Sequence, residues 1–134
     1  MKRFIVLALA LAAPLALAQD PPKGLAGTVY FPSSSTSLTA DGYEQLRAVA
    51  AALQAEPGLR LEIEGHSDTS AAARTNEPLS QQRAEVVREF LVNLGIAPER
   101  LVAKGYGAWR PVNDNRTLEQ RASNRRVQFR RLDR

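Results

Sequence analysis

The stretch LRLEIEG, residues 59–65, alternates strictly between apolar and charged side chains. Successive side chains of an extended chain point to opposite sides, so Leu59, Leu61 and Ile63 share one face and Arg60, Glu62 and Glu64 the other. One dry face and one wet face are expected of a sheet that helices cover on one side. Upstream, Tyr43, Leu46, Val49, Ala50 and Leu53 recur at helical spacing, and Pro57-Gly58 ends the run. Thr39 is placed to cap this helix, with Leu38 before the cap and Tyr43 inside it, at the spacing of a hydrophobic staple. TVYF (28–31) is β-branched and aromatic, and reads as a first strand. Downstream, a second helix is predicted from about Asn76, with Pro78 in its first turn. It ends at Leu94-Gly95-Ile96, where Gly95 can take a left-handed turn, Ile96 can pack back, and Pro98 follows. LVAKGYG (101–107) and RVQFR (126–130) are the remaining strands, with Val127 and Phe129 inward. PVNDNRTLEQRASN between them is a loop with one short helical turn. The order β-α-β-α-β-β predicts an α/β (α+β) two-layer sandwich.

The ends of the chain narrow its setting. Residues 1–18, MKRFIVLALALAAPLALA, join a positive start at Lys2 and Arg3 to an apolar run and a small-x-small close at Ala16-Leu17-Ala18. That pattern is a secretory signal peptide, with the cut expected before Gln19. The apolar run falls short of the roughly 20 residues of a spanning helix. Removing these eighteen residues leaves 116 of the 134, enough for one domain with a modest core. Residues 19–27 read as a flexible lead and 28–134 as the domain. The rest of the chain holds no further run able to span a bilayer as a helix, and too few strands for a membrane barrel. The expected product is a soluble periplasmic protein. The formal charge of +4 falls to about +2 once Lys2 and Arg3 are removed. An exported chain has little access to nucleic acid, so the arginines of QRASNRRVQFRRLDR are expected to line a solvated strand face or to meet an anionic polymer. With no Cys, packing alone must hold the fold.

The second helix carries an anomaly. Its core-facing positions are predicted as Leu79, Arg83, Val86 or Val87, Phe90 and Leu94, which sets an arginine on an apolar stripe. A buried guanidinium without partners is expensive, so something anionic should meet it. Arg83 either ties itself permanently to an internal carboxylate such as Asp68, or offers its fork to a ligand carboxylate. Asp68 stands at the mouth of the loop that follows LEIEGH, where strand ends commonly meet ligands. An acid and a base from separate elements suit a ligand with ammonium and carboxylate on one carbon.

Enzyme chemistry finds little support. His66, Ser67 and Asp68 are consecutive, and neighbours in extended chain point apart, so they form no triad. One His and no Cys argue against a zinc site, and no cofactor is expected. Glu62 and Glu64 are better placed for cross-strand ion pairs with Arg126 or Arg130 than as a hydrolytic pair. His66 reads as a packed, hydrogen-bonded histidine, Trp109 as a partly exposed loop aromatic, and Gly105 and Gly107 as turn glycines.

Four motifs in register, GHSD (65–68), NEPLSQQRA (76–84), GYG…RP (105–111) and NRTLEQRASNRRV (115–127), resemble the OmpA C-terminal-like domain. The likeness runs from about Val29 to Phe129. This domain also occurs in peptidoglycan-associated lipoproteins and flagellar-motor stator proteins. The resemblance implies helices on one face of a mixed sheet, no catalysis, and non-covalent binding of peptidoglycan through the zwitterionic end of meso-diaminopimelate. By motif position Asp68 and Arg83 would make that contact, with Thr69, Asn76, Leu79 and Asn124 shaping the pocket. The implied partner is diaminopimelate-type peptidoglycan, with an outer-membrane or other envelope protein as a further one. The alternative is a periplasmic protein-interaction module that captures a peptide terminus or acidic loop of such a partner. The sequence departs from the family pattern at Pro32, in place of an Asp, at Ala71 and Gln120, in place of Gly, and at Ala108, in place of an acid.

Overall fold

The computed structural model describes residues 27–69 and 73–132, excluding the side chains of residues 73–76. The expected signal peptide (1–18), the lead as far as residue 26, and Ala71 lie outside the described residues. The elements are β1 (Val29–Tyr30), α1 (Ala40–Ala55), β2 (Leu61–Gly65), α2 (Ala73–Asn93), a 3-10 turn (Pro98–Arg100), β3 (Leu101–Gly105), α3 (Leu118–Asn124) and β4 (Arg126–Arg131). The strands form one mixed sheet in the order β1-β4-β2-β3. The β2–β3 pair is parallel, and β4 runs antiparallel to both β1 and β2. This is the expected sandwich.

Local rules account for most boundaries. The Thr39 hydroxyl accepts from Gly42 N and starts α1. Gly42 is buried, whereas Tyr43 keeps 37% of its surface exposed and meets the Phe90 ring at 5.0 Å. At the end of α2, Gly95 takes φ +103°. Ile96 N donates to Leu91 O and Gly95 N to Val92 O, and these two bonds satisfy carbonyls the last turn would leave open. Thr117 and Gln120 form a reciprocal capping box at α3. Gln120, a departure from the family pattern, thus gives this seven-residue helix its start.

The core lies between the sheet and helices α1 and α2. Leu59, Leu61 and Ile63 are fully buried in it with Leu46, Leu53, Val87 and Leu91, each contributing about 1.5–3 kcal/mol. The opposite face of β2 is drier than its alternation implies. Glu62 is buried, because Tyr106 Oη donates to its Oε1 at 2.8 Å and Arg130 Nη2 at 3.1 Å. Arg130 Nε also reaches Glu64 Oε2 at 3.2 Å, the cross-strand pairing expected for these residues. Arg126 does otherwise, donating to Gln128 Oε1 and to the Arg110 carbonyl.

Helix α2 differs from expectation in two ways. It begins at Ala73, before Asn76, and therefore encloses Pro78. Its buried stripe is Ser80, Arg83, Ala84, Val87 and Leu91, while Leu79, Val86 and Phe90 are only half-buried and Leu94 is exposed. The rotation follows from the crossing point. A Cβ on Gly65 would collide with the Ser80 carbonyl, and one on Gly105 with the backbone of Gln81. Gly105 is accordingly a strand glycine that admits the helix, whereas Gly107, at φ +58°, is a true turn residue. Ser80 seals the crossing: its Oγ donates to Glu77 O and accepts from Gly107 N, both at 2.8 Å.

Candidate functional site

The carboxyl end of β2 delivers His66, Ser67 and Asp68 into one corner of the sheet. His66 N donates to Arg126 O at 2.8 Å and Ser67 N to Gly107 O at 2.9 Å, so this loop is pinned to the two strands beside β2 and their extensions. Asp68 is 3% exposed, and its Oδ2 accepts from Arg125 Nη1 at 2.9 Å. Arg125 Nε in turn donates to Phe31 O at 2.9 Å, which brings the end of β1 into the same corner.

Arg83 is fully buried, as its position on the apolar stripe requires. Its acceptors are not those expected. Nε donates to Ser35 O at 2.9 Å, Nη1 to His66 O at 3.2 Å, and Nη2 to Pro32 O at 3.1 Å. Carbonyl dipoles from two loops, and not an internal carboxylate, take the fork, which lies 5.3 Å from the centre of the Phe31 ring. Pro32 lacks an N–H but keeps the carbonyl this bond needs. Burial, with the nearby Arg125 charge, lowers the Arg83 pKa to about 10, and Asp68 works the other way. The group stays cationic at neutral pH. Three of its five N–H donors are used among the described residues.

A cleft of about 560 Å³ opens between the Ser33 loop, Asp68 and the α3 side chains Leu118 and Arg121, with Arg125 alongside. Asp68 lines it directly. Arg83 lies behind its wall, since the carbonyls it holds flank Ser33 on one side and precede Asp68 on the other. Of the other predicted positions, Thr69 is exposed and Leu79 half-buried, and the Asn76 side chain falls outside the described residues. Asn124 is fully buried and acts as a hub for the neighbouring loop. Its Oδ1 accepts from Val112 N at 2.7 Å, and its Nδ2 donates to Asn113 Oδ1 and Asn115 Oδ1.

Sequence reasoning gave Arg125 no role, although it is the partner of Asp68. The available signal was its place between the short helix and β4, directly after Asn124. His66 also departs from expectation. It is buried and stacked on Tyr106 at 5.6 Å, yet neither ring nitrogen has a hydrogen-bond partner among the described residues. Burial, with the charges of Arg126 and Arg110, lowers its pKa to about 4.

The described residues thus form a small α/β sandwich with the Asp68–Arg125 ion pair beside a cleft. The sequence profile of the OmpA family matches residues 30–125, and the chain belongs to that family. It is 39% identical over 103 residues to the peptidoglycan-binding protein ArfA of Mycobacterium tuberculosis, covering 77% of this chain and 32% of the relative. The chain thus spans about a third of that relative's length. The crystal structure of the peptidoglycan-associated lipoprotein from Burkholderia pseudomallei superposes with a TM-score of 0.78 at 31% identity, over 84% of this chain and 97% of that one. The C-terminal domain of Helicobacter pylori MotB shares the fold, with a TM-score of 0.73 at 24% identity, over 78% and 82% of the two chains.

Proposed function

We propose that this protein binds peptidoglycan non-covalently and without chemistry, by gripping the zwitterionic centre of meso-diaminopimelate in the stem peptide. Asp68 takes the ammonium and Arg83 the carboxylate. The observation that carries this reading is the Asp68 carboxylate: it lines an open cleft while a buried, cationic guanidinium stands behind the same wall. Among the described residues Arg83 keeps one N–H on each of Nη1 and Nη2 beyond its carbonyl bonds, and two guanidinium N–H groups can serve one carboxylate. Its enclosure means that the ligand reaches it only when the wall formed by the 32–35 loop yields. The match to a peptidoglycan-binding relative and to a peptidoglycan-associated lipoprotein supports peptidoglycan as the polymer bound.

On this reading residues 1–18 direct export, residues 28–134 form the wall-binding domain, and the protein works in the periplasm, alone or beside an envelope protein. No helix among the described residues is long and apolar enough to cross a membrane. Co-sedimentation with purified sacculi tests the proposal. Diaminopimelate-type wall should retain the protein, and Asp68→Ala should abolish retention. Equal retention by lysine-type wall, whose side-chain ammonium has no carboxylate on the same carbon, argues for a different ligand.

A further inference from the structure

Trp109 is the chain's single tryptophan, and 77% of its surface is exposed. The loop that displays it is fastened at both ends next to the Asp68–Arg125 pair. At its start, Gly107 O accepts from Ser67 N at 2.9 Å, one residue before Asp68. At its far end, Val112 N donates to Asn124 Oδ1 at 2.7 Å, one residue before Arg125. Between these anchors the loop is set: Gly107 takes a left-handed φ, Trp109 N donates to Tyr106 O at 3.2 Å, and the Arg110 guanidinium stacks over the Tyr106 ring at 3.9 Å. Trp109 lies two positions from one anchor and three from the other, which at about 3.5 Å per residue keeps it within roughly 10 Å of each along the chain.

The site therefore has a charged centre and an apolar rim. Leu118, 74% exposed, lines the cleft, and Val112, 56% exposed, shares the loop with Trp109. A free amino acid or a short charged peptide has no use for an exposed indole at that distance. A glycopeptide does. Pyranose rings present a face of C–H groups that packs on an aromatic π-face, while their hydroxyls stay in water. Three extended residues of stem peptide reach roughly 10 Å, the same length as the chain from either anchor to Trp109.

We propose that Trp109 is the glycan contact of this site, stacking on the sugar that carries the stem peptide held by Asp68 and Arg83. The inference rests on the peptidoglycan reading and extends it from an amino-acid centre to a two-point grip on peptide and sugar.

The lone tryptophan makes its own reporter. The protein is titrated with a disaccharide-linked stem peptide of the diaminopimelate type and with the same peptide lacking sugars, following both heat and tryptophan emission. Both ligands should bind. Only the sugar-bearing one should shift the emission to the blue, and its affinity should exceed that of the bare peptide by about tenfold, the scale of one aromatic stacking contact. Trp109→Ala should erase that tenfold advantage without changing the affinity for the bare peptide, and Trp109→Phe should restore part of it. Unchanged emission on binding the sugar-bearing ligand, or a Trp109→Ala variant that keeps the tenfold preference for it, overturns the glycan role and leaves the peptide reading standing. Failure of both ligands to bind the unaltered protein overturns both.

Discussion

Arg83 reaches Asp68 through the backbone of its loop, with a charge interaction between the two side chains beside it. The guanidinium donates to the His66 carbonyl at 3.2 Å, two residues before Asp68, while Asp68 accepts from Arg125 at 2.9 Å. Arg83 thus positions the loop that presents the carboxylate, and Arg125 orients the carboxylate itself. The corner works as three layers: a buried cation, a ring of carbonyls, and an ion pair at a cleft.

The first layer is structural as well as functional. Arg83→Ala leaves the carbonyls of Pro32, Ser35 and His66 without their donor, and a buried polar group that loses its partner costs about 1–3 kcal/mol. We expect a loss of at least about 3 kcal/mol in urea unfolding. Arg83→Lys should recover little, because an ammonium cannot span acceptors set for a planar fork. A loss below about 1 kcal/mol for Arg83→Ala would show that the carbonyl ring does not depend on it.

Helix α2 sits on the sheet only because two strand positions lack a Cβ. Gly65→Ala drives a methyl group into the Ser80 carbonyl. The helix must lift, and such overpacking costs about 1–3 kcal/mol or more. Gly58→Ala, where an added Cβ would meet nothing within 4 Å, should stay within about 0.5 kcal/mol of the parent. Thermal melts of the two variants measure the contrast.

These glycines show where the sequence was legible and where it was not. The Thr39 cap and the Gly95 stop are local signals and appear as read, and the alternation of LRLEIEG correctly sends Leu59, Leu61 and Ile63 inward, although its charged face is drier than read, with Glu62 buried. The facing of α2 is a tertiary matter. Periodicity put Leu79 and Leu94 on the stripe, but the close crossing at Gly65 and Gly105 turned Ser80 and Ala84 inward instead. Arg83 was visible because an arginine on an apolar stripe breaks a pattern. Arg125 was not, because an arginine among arginines breaks none. That it answers Asp68, 57 positions away, depends on the antiparallel pairing of β4 with β2.

His66 gives the fold a pH dependence. Its pKa falls from 6.5 in the unfolded chain to about 4 in the folded one. Between those values the unfolded state binds more protons, so stability rises with pH through this window and is lost as pH falls through it. At 1.36 kcal/mol per pH unit the full effect is about 3 kcal/mol. Replacing the ring by Gln should flatten the stability-pH slope between pH 6.5 and 4. An unchanged slope in His66→Gln, measured by urea midpoints at several pH values, would assign the acid sensitivity to other groups.

Asn124 holds the neighbouring loop from inside. Asn124→Ala removes bonds to Val112 N, Asn113 and Asn115 and should cost about 2 kcal/mol or more. Hydrogen exchange should quicken at Val112 while the amides of β2 remain protected. Equal exchange at Val112 in the variant and the parent would mean the loop is held elsewhere.

Calorimetric titration with the stem tripeptide ending in meso-diaminopimelate, set beside the same tripeptide ending in lysine, tests the central claim most directly. The unaltered protein should bind the first and not the second, and Asp68→Asn should weaken the first by about 10- to 100-fold, the scale of one charge-assisted hydrogen bond. Equal binding of the two tripeptides, or full affinity in Asp68→Asn, would contradict recognition of a zwitterionic centre by this corner of the fold.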